Sequence, residues 1–227
     1  MGRRVTRPVA LLAGMRDFHR RPELSSGFGG PFNGQTRRLE AITALFDELQ
    51  PERVVETGTY RGTTTEWFGQ RDVPVDTIEI NWRLFGYAWA RFLRDPLVTV
   101  HRSDSRAELQ DLARRLDTTR CCFFYLDAHW HEELPTREEI EIIASRWEQP
   151  IIVIDDCKVP WDDGYGFDDY GSAGLVSVEL FPELPGWSVF FPSTPHTEET
   201  GARRGCALIV PPALASRVGA LDDWRAA

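Results

Sequence analysis

The sequence predicts an α/β domain in which a seven-stranded, mostly parallel sheet with an antiparallel last strand has helices on both faces. Three observations support this prediction. Five apolar strand candidates alternate with stretches of helical periodicity between residues 53 and 154. The fifth candidate, 151–154, is an unbroken run of β-branched residues, which is typical of a strand buried on both faces. Two further strand candidates then follow with no helix between them, which indicates an antiparallel pair.

Residues 1–34 are expected to form an N-terminal arm or lid, and residues 35–227 the main domain. The arm ends in a glycine- and aromatic-rich loop at 25–34. From Gln35 onward, apolar residues recur at three- and four-residue steps, which predicts a helix that stops before Pro51. The sequence leaves open whether the arm folds over the next loop as a lid or is only a structural extension.

The remaining elements follow at a steady pace. Strands are predicted at 53–56, 75–80, 98–101, 121–126 and 151–154, with helices at about 63–70, 82–93, 105–116 and 136–147. Residues 158–174 form a predicted loop of aspartates, glycines and aromatic residues, and a short helix is expected at 174–181. The closing strands are predicted at 187–191 and 206–210.

Composition narrows the class of function. The net charge of −9 argues against nucleic acid as a partner, because phosphate binding requires a basic face. No apolar run approaches the ~20 residues of a membrane span, and the start of the chain lacks a secretory pattern, so a cytoplasmic protein is expected. The four cysteines show no metal-binding spacing and are expected to be free thiols. A homo-oligomer is compatible with the sequence but is not specified by it.

The segment 56–62, Glu-Thr-Gly-Thr-Tyr-Arg-Gly, links the first strand to the following helix. Gly58 and Gly62 allow a sharp turn and a close approach of the backbone to a ligand. An acid stands where dinucleotide-binding loops have their first glycine, and a carboxylate there would repel a pyrophosphate. The loop therefore favours a cationic ligand without phosphates. Thr63 or Thr64 could cap the helix that follows.

This loop resembles the first motif of the class I S-adenosylmethionine-dependent methyltransferases, which have a Rossmann-like fold. Their methyl donor is a sulfonium that also carries an ammonium group. The resemblance implies that Glu56, Gly58, Thr59, Gly62 and Thr64 contact S-adenosylmethionine. It also implies a small-molecule acceptor as the second substrate.

An acidic residue lies at or just after the end of each of the five predicted parallel strands, at the edge of the sheet where ligands of such folds bind. Glu79, 23 residues after Glu56, lies where an acid that binds the ribose hydroxyls is expected. Ser103 and Asp104 follow the third strand and suit the adenine edge. The fourth strand ends at Asp127, which is expected to contact both the donor and the acceptor; any one of these acids could instead be a solvated cap.

A metal site is predicted at the ends of the fourth and fifth strands. Asp127, Asp155 and Asp156 would lie close together there and repel one another unless a divalent cation, for which Mg²⁺ is the usual choice with oxygen ligands, neutralised them. The alternative is that these carboxylates cap helices or accept hydrogen bonds from backbone amides.

The segment Tyr125-Leu126-Asp127-Ala128-His129, followed by the apolar run that ends in Asp155-Asp156, resembles the macrocin-type O-methyltransferases and the related cephalosporin hydroxylase-like group. The resemblance spans roughly residues 35–160. It implies that Asp127, Asp155 and Asp156 hold the metal. The family's second aspartate, its proposed general base, is replaced here by His129.

The predicted catalytic residues are therefore His129 and Asp127. His129 could accept the proton of the acceptor hydroxyl, serve as a fourth metal ligand or simply be a packed residue. His131, two residues on, is expected at the surface or in a lid. The predicted activity is O-methylation of a sugar diol or catechol-like hydroxyl of the natural-product type. Alternatives are a non-catalytic S-adenosylmethionine-binding module and a metal-dependent hydrolase.

Overall fold

The computed structural model of the protein describes residues 6–129 and 134–227. The helices within these ranges are α1 (Arg7–Arg20), α2 (Thr36–Leu49), α3 (Thr63–Gly69), α4 (Trp82–Phe92), α5 (Ser105–Arg115), α6 (Thr136–Arg146) and α7 (Pro212–Val218). The strands are β1 (Arg53–Thr57), β2 (Val75–Ile78), β3 (Val98–His101), β4 (Cys121–Leu126), β5 (Gln149–Asp155), β6 (Ser188–Pro192), β7 (Cys206–Val210) and β8 (Trp224–Ala226).

The strands form one sheet in the order β3-β2-β1-β4-β5-β7-β6-β8. Strands β1 to β5 run parallel, whereas β7 runs antiparallel to both of its neighbours, β5 and β6. The chain starts at the centre of the sheet, moves out to β3 and returns to place β4 beside β1. The carboxyl ends of β1 and β4 therefore lie side by side at the point where strand order reverses, which is where ligands of open α/β sheets bind.

Apolar side chains bury both faces of the sheet. Along β4, Phe123 and Tyr125 join the layer that contains α2, α3 and α7, while Cys122, Phe124 and Leu126 join the layer that contains α5 and α6. Because successive side chains of a strand point to opposite faces, one apolar strand serves both layers. This confirms the predicted buried parallel sheet with helices on both faces.

Local sequence signals fix several helix ends. The Asn81 side chain accepts a hydrogen bond from the Arg83 N–H at 2.9 Å and so caps α4. Asp104 caps α5 in the same way through the Arg106 N–H, at 3.0 Å. Helix α2 ends at Leu49. The next residue, Gln50, has a left-handed φ of 52° and caps the helix directly before Pro51, so the helix stops where it was predicted to stop.

Two differences from the prediction concern the region after β5. The sheet has an eighth strand, because β8 pairs antiparallel with the outer edge of β6. The predicted helix at 174–181 is wrong: only short 3₁₀ turns occur, at Gly171–Ala173 and Val178–Leu180. Val176, between the two turns, is buried. Its carbonyl oxygen accepts a hydrogen bond from the Lys158 N–H and its N–H donates one to the Asp168 carbonyl oxygen, which holds this stretch in a loop.

Helix α1, whose weak periodicity gave no signal, packs along α4, and its Asp17 accepts a hydrogen bond from Arg83 Nε at 2.7 Å. The four cysteines are free, as expected, and all except Cys121 are buried. Among the described residues, no helix has the length and apolar composition needed to cross a bilayer.

Candidate functional site

The glycine loop forms the centre of the site. Gly58 has a φ of 85°, and a Cβ at this position would lie 2.0 Å from the carbonyl oxygen of Asp127. Any side chain here would therefore push the end of β1 away from the end of β4. Gly62, with a φ of 77°, is the residue directly before α3 and occupies its N-cap position. Neither Thr63 nor Thr64 caps the helix, so the predicted threonine cap is wrong. The Thr59 hydroxyl bonds that of Thr77 on β2 at 2.6 Å.

Glu56 is buried at the end of β1, and only 2% of its surface is exposed. Its carboxylate accepts hydrogen bonds from the hydroxyls of Thr77, at 2.5 Å, and Thr65. Burial raises the pKa of Glu56 to about 7, although both hydroxyls oppose the shift. No ion pair of Glu56 occurs within the described part of the chain, so a buried, ionisable carboxylate faces the loop with neutral donors alone.

Glu79 lies just beyond β2 and is also buried. Its two carboxylate oxygens accept hydrogen bonds from the backbone N–H groups of Asn81, at 2.6 Å, and Tyr60, at 2.9 Å. Burial raises the pKa of Glu79 to about 7 against these bonds. The next side chain, Ile80, is 59% exposed, which places an apolar surface beside this acid at the open edge of the sheet.

The residues after β3 are more exposed. The Asp104 carboxylate caps α5 and forms an ion pair with Arg106 at 2.7 Å, and these bonds lower the pKa of Asp104. Ser103, next to it, is half-buried. Asp104 is therefore engaged by its own helix, which is the alternative that the sequence left open for each strand-end acid.

The segment 22–34 of the N-terminal arm lies against the glycine loop. The Thr63 hydroxyl donates a hydrogen bond to the Ser25 carbonyl at 3.1 Å, and the Phe32 N–H donates one to the Thr64 hydroxyl at 3.3 Å. Phe32 is buried against Trp67 of α3 and Tyr125 of β4. Thr64 thus anchors the arm instead of capping its helix, and the arm covers the start of α3.

A second group of polar side chains lies at the ends of β4 and β5. One potential ligand atom from each of Asp127, His129 and Asp156 lies within 4.8 Å of the others, which is the spacing of a metal site. His129 is 2% exposed, and neither of its ring nitrogens has a hydrogen-bond partner among the described residues. Its Nε2 lies 4.0 Å from Asp127 Oδ1 and 3.9 Å from Asp168 Oδ2.

Asp155 has a different environment from its neighbour Asp156. It is fully buried in an ion pair with Arg38 of α2, and both side chains are 2% exposed. It also accepts hydrogen bonds from the Tyr125 hydroxyl at 2.7 Å and from Asn33 at 3.3 Å. Burial alone would raise the pKa of Asp155, but Arg38 and Tyr125 outweigh it and hold the pKa below its usual range. The structure thus places Asp155 with Arg38, outside the group of three ligand atoms.

Arg204, which precedes β7, pairs with two acids of this region. Its Nε donates to Asp156 at 2.6 Å, and its guanidinium also pairs with Asp168. Asp168 belongs to the loop after β5 and was not among the predicted site residues. Its only signal in the sequence is the acidic pair Asp168-Asp169, and nothing in that pattern shows that the loop returns to the end of β4.

The charges of this region shift the pKa of each titratable member. Partial burial and the neighbouring Asp155 and Asp156 raise the pKa of Asp127 above its usual range; because the Asp127 side chain is still 35% exposed, solvent limits the contribution of burial. Burial and Asp155 raise the pKa of Asp156 to about 7, with Arg204 opposing. Burial lowers the pKa of His129, so its ring is neutral at pH 7.

Two aromatic residues of the loop after β5 contact this region or anchor the loop. The Tyr170 hydroxyl donates to the His129 carbonyl oxygen at 2.8 Å and also contacts Asp168. Tyr165 is buried and donates to the Thr194 carbonyl at 2.9 Å, so it anchors the loop.

His131 lies outside the described residues, as do residues 1–5 of the arm.

Solved structures share this fold. An O-methyltransferase from Streptomyces achromogenes involved in tomaymycin synthesis, TomG, in complex with S-adenosylmethionine, matches with a TM-score of 0.57 at 17% identity over 89% of each chain. An O-methyltransferase from Bacillus cereus, in complex with S-adenosylhomocysteine, matches with a TM-score of 0.57 at 15% identity, over 88% of this chain and 90% of that one.

A methyltransferase from Podospora anserina bound to S-adenosylhomocysteine matches with a TM-score of 0.51 at 16% identity, over 88% of this chain and 86% of that one. No protein-family model matches the sequence, and no curated protein matches it significantly. At these identities the likeness concerns the fold, and the chain has the Rossmann-like fold of the S-adenosylmethionine-dependent methyltransferases.

Proposed function

We propose that this protein is an S-adenosylmethionine-dependent methyltransferase that O-methylates the hydroxyl of a small molecule. One observation carries the proposal: two buried carboxylates, Glu56 and Glu79, border the glycine loop with neutral donors as their partners. A buried acid without a cationic partner is costly, and a cationic ligand relieves that cost. The shared fold with S-adenosylmethionine-bound proteins supports the same choice of ligand.

The residues fit the parts of this donor. Glu56 would bind its ammonium group, and Gly58 and Thr59 would lie along its amino-acid portion. The two oxygens of Glu79 suit the ribose hydroxyls, with Ile80 as an apolar surface for the base. When bound, the donor would supply a methyl group activated by the sulfonium: the acceptor oxygen would form a bond to the methyl carbon in line with the breaking C–S bond, whose electron pair would pass to sulfur, and the hydroxyl proton would pass to a base.

The second group suits a divalent cation. Four carboxylates lie in this region, those of Asp127, Asp155, Asp156 and Asp168, and the guanidiniums of Arg38 and Arg204 offset two of those charges. If all four are ionised, two negative charges remain, and this crowding of carboxylates is one cause of the raised pKa of Asp127 and Asp156. The buried nitrogens of His129 have no hydrogen-bond partner among the described residues. Asp127, His129 and Asp156 would hold the ion, with Asp155 fixing Arg38 behind them.

A cation held there would lower the pKa of an acceptor hydroxyl. An imidazole ligand suits transition-metal ions such as Fe²⁺, Ni²⁺ or Zn²⁺ better than Mg²⁺, which prefers oxygen ligands, and Mn²⁺ shares the preference of Mg²⁺ for carboxylates. The sequence-based choice of Mg²⁺ stays a prediction, as does the direct metal contact of Asp155. The role of His129 as proton acceptor is the alternative to its role as ligand.

Calorimetry with S-adenosylmethionine tests the donor. We expect saturable binding at one site per chain; a metal-dependent hydrolase would give no such heat. Binding without methyl transfer to any hydroxyl compound in a fractionated extract would favour the non-catalytic binding module.

Electron paramagnetic resonance of Mn²⁺ tests the cation. We expect binding that is lost in His129→Ala and Asp156→Asn and retained in Asp117→Asn, which changes an exposed carboxylate elsewhere. If His129 is instead the proton acceptor, the rate of methyl transfer should rise with pH as its ring loses its proton. His129→Ala would then leave the Mn²⁺ affinity unchanged and reduce that rise.

A further inference from the structure

A cavity of about 250 Å³ lies between α1, α4 and the glycine loop. It is far larger than the roughly 10–15 Å³ that one water molecule requires. Leu24 and Leu84 provide apolar wall, and Arg61 of the glycine loop forms one side. The cavity shares no residue with the acids and His129 at the ends of β4 and β5.

The charge of this cavity is opposite to that of the chain. Three arginines line it, Arg21, Arg61 and Arg83, against a single carboxylate, Asp17, which leaves two positive charges. Asp17 pairs with Arg83 at 2.6 Å, so the guanidiniums of Arg21 and Arg61 are not offset within the lining. The chain as a whole carries −9, so the net charge of this lining is opposite in sign to that of the protein.

A buried hydroxyl supplies an independent indication of a ligand. Tyr87 of α4 lines the cavity and is 2% exposed, and its hydroxyl oxygen has no hydrogen-bond partner among the described residues. Burial raises the pKa of this hydroxyl; the positive charges of Arg91 and Arg61 oppose the shift, and the more weakly acting carboxylates of Glu23 and Asp17 add to it. Because a buried polar group without a partner costs about 1–3 kcal/mol, such groups in native proteins call for an explanation.

We propose that this cavity binds the carboxylate or phosphate group of a small molecule, with the Tyr87 hydroxyl as donor and Arg21 and Arg61 as the paired charges. An oxyanion accepts several hydrogen bonds at once and matches the planar guanidinium. The two leucines would contact the carbon skeleton next to the anionic group. This site does not depend on the proposed methyl transfer, because none of its residues belongs to the group that would hold the donor or the cation.

Titration calorimetry with inorganic phosphate and with acetate, at constant ionic strength in chloride, tests the site. We expect saturable binding of at least one of the two anions, and the tighter one identifies the group that the cavity prefers. Tyr87→Phe and Arg21→Gln should each weaken it about tenfold, the effect of losing one hydrogen bond to a charged group. Arg114→Gln, an exposed arginine on α5 paired with Asp111, is the control and should change nothing.

Thermal unfolding without the anion provides a second measurement. Since no described residue forms a hydrogen bond with the Tyr87 hydroxyl, Tyr87→Phe should leave the Tm of the free protein unchanged or raise it, while reducing the rise in Tm that the anion produces. Absence of saturable binding, an equal loss in Arg114→Gln, undiminished binding in both cavity variants or a lower Tm of free Tyr87→Phe would each overturn the proposal.

Discussion

The acidic residues at the two ends of the candidate site have different partners and opposite pKa shifts. At the ends of β1 and β2, Glu56 and Glu79 are held by hydroxyls and backbone N–H groups, and burial raises the pKa of each to about 7. At the end of β5, Asp155 is held by Arg38, and its pKa is lowered. Neither carboxylate of the first pair forms an ion pair among the described residues, and the positive charges of Arg91 and Arg102 only partly offset the effect of burial, so a ligand could supply the missing charge. Asp155 already has a direct cationic partner within the protein.

This difference distinguishes acids that can bind a cationic ligand from acids that hold another side chain of the protein in place. A carboxylate with neutral partners stabilises an incoming cation, because its charge is not yet compensated. A carboxylate in a buried ion pair mainly fixes its partner, since breaking the pair would leave a charge uncompensated. We therefore expect changes at Glu56 and Glu79 to affect ligand affinity, and changes at Asp155 and Arg38 to affect stability.

The largest expected effect is that of Arg38→Met. Removing this guanidinium leaves the Asp155 carboxylate buried and unpaired, which should lower the free energy of unfolding by about 3–5 kcal/mol. Urea unfolding measures the loss. Arg37→Met is the matched control, because the neighbouring Arg37 is exposed and pairs with the exposed Glu40, so that variant should lose less than about 1 kcal/mol. Equal losses in the two variants would contradict the supporting role of Arg38.

Glu79→Gln should act on affinity instead. The amide removes the charge and replaces one acceptor oxygen by a donor, so S-adenosylmethionine should bind about 10- to 100-fold more weakly. The backbone N–H that loses its acceptor should lower the free energy of unfolding by no more than about 1–3 kcal/mol. Calorimetric titration measures the affinity. Glu141→Gln, the same change at an exposed position of α6, is the control. Full affinity in Glu79→Gln would show that the ribose lies elsewhere.

The pH dependence of donor affinity should reflect the raised pKa values. The carboxylates are largely protonated below about pH 7 in the free protein, and a cationic donor prefers the ionised form. Affinity should therefore rise with pH, by about tenfold per titrating carboxylate between pH 6 and pH 8. Calorimetry across this range measures the slope, and Glu56→Gln should reduce it. A flat profile would mean that both acids are ionised before the donor binds.

The smallest expected effect is that of Thr65→Val. This change removes one of the two hydroxyls that bond Glu56, which should raise the pKa of Glu56 further and move the pH profile of donor binding upward. At pH 7 the loss of affinity should be only a few-fold, in keeping with about 1 kcal/mol for one hydrogen bond. Thr43→Val, whose hydroxyl bonds the carbonyl of Leu39 within its own helix, should leave the profile in place.

The sequence predicted the first end of the site better than the second, for a physical reason. Glu56, Gly58 and Gly62 lie within seven consecutive residues, and Glu79 follows from the period of the next strand, so local pattern locates them. Arg38 lies 117 residues before Asp155, and Arg204 lies 48 residues after Asp156. No local pattern connects such residues, because only the folded sheet brings them together.

The same limit explains the errors in the fold. The parallel strands were recognisable from their apolar runs, including β5, but β8 is three residues long and owes its strand geometry to pairing with β6. The helix expected at 174–181 does not form because the backbone of Val176 makes its hydrogen bonds with Lys158 and Asp168, which precede it in the chain. Asp168 escaped notice for the same reason, since its position depends on that loop.

A crystal structure with S-adenosylhomocysteine would test the central claim most directly. We predict that its ribose hydroxyls lie within hydrogen-bond distance of the Glu79 carboxylate and that its ammonium group lies at Glu56. A product molecule bound away from both carboxylates, or a soaked crystal whose glycine loop contacts no ligand at saturating concentration, would contradict the account.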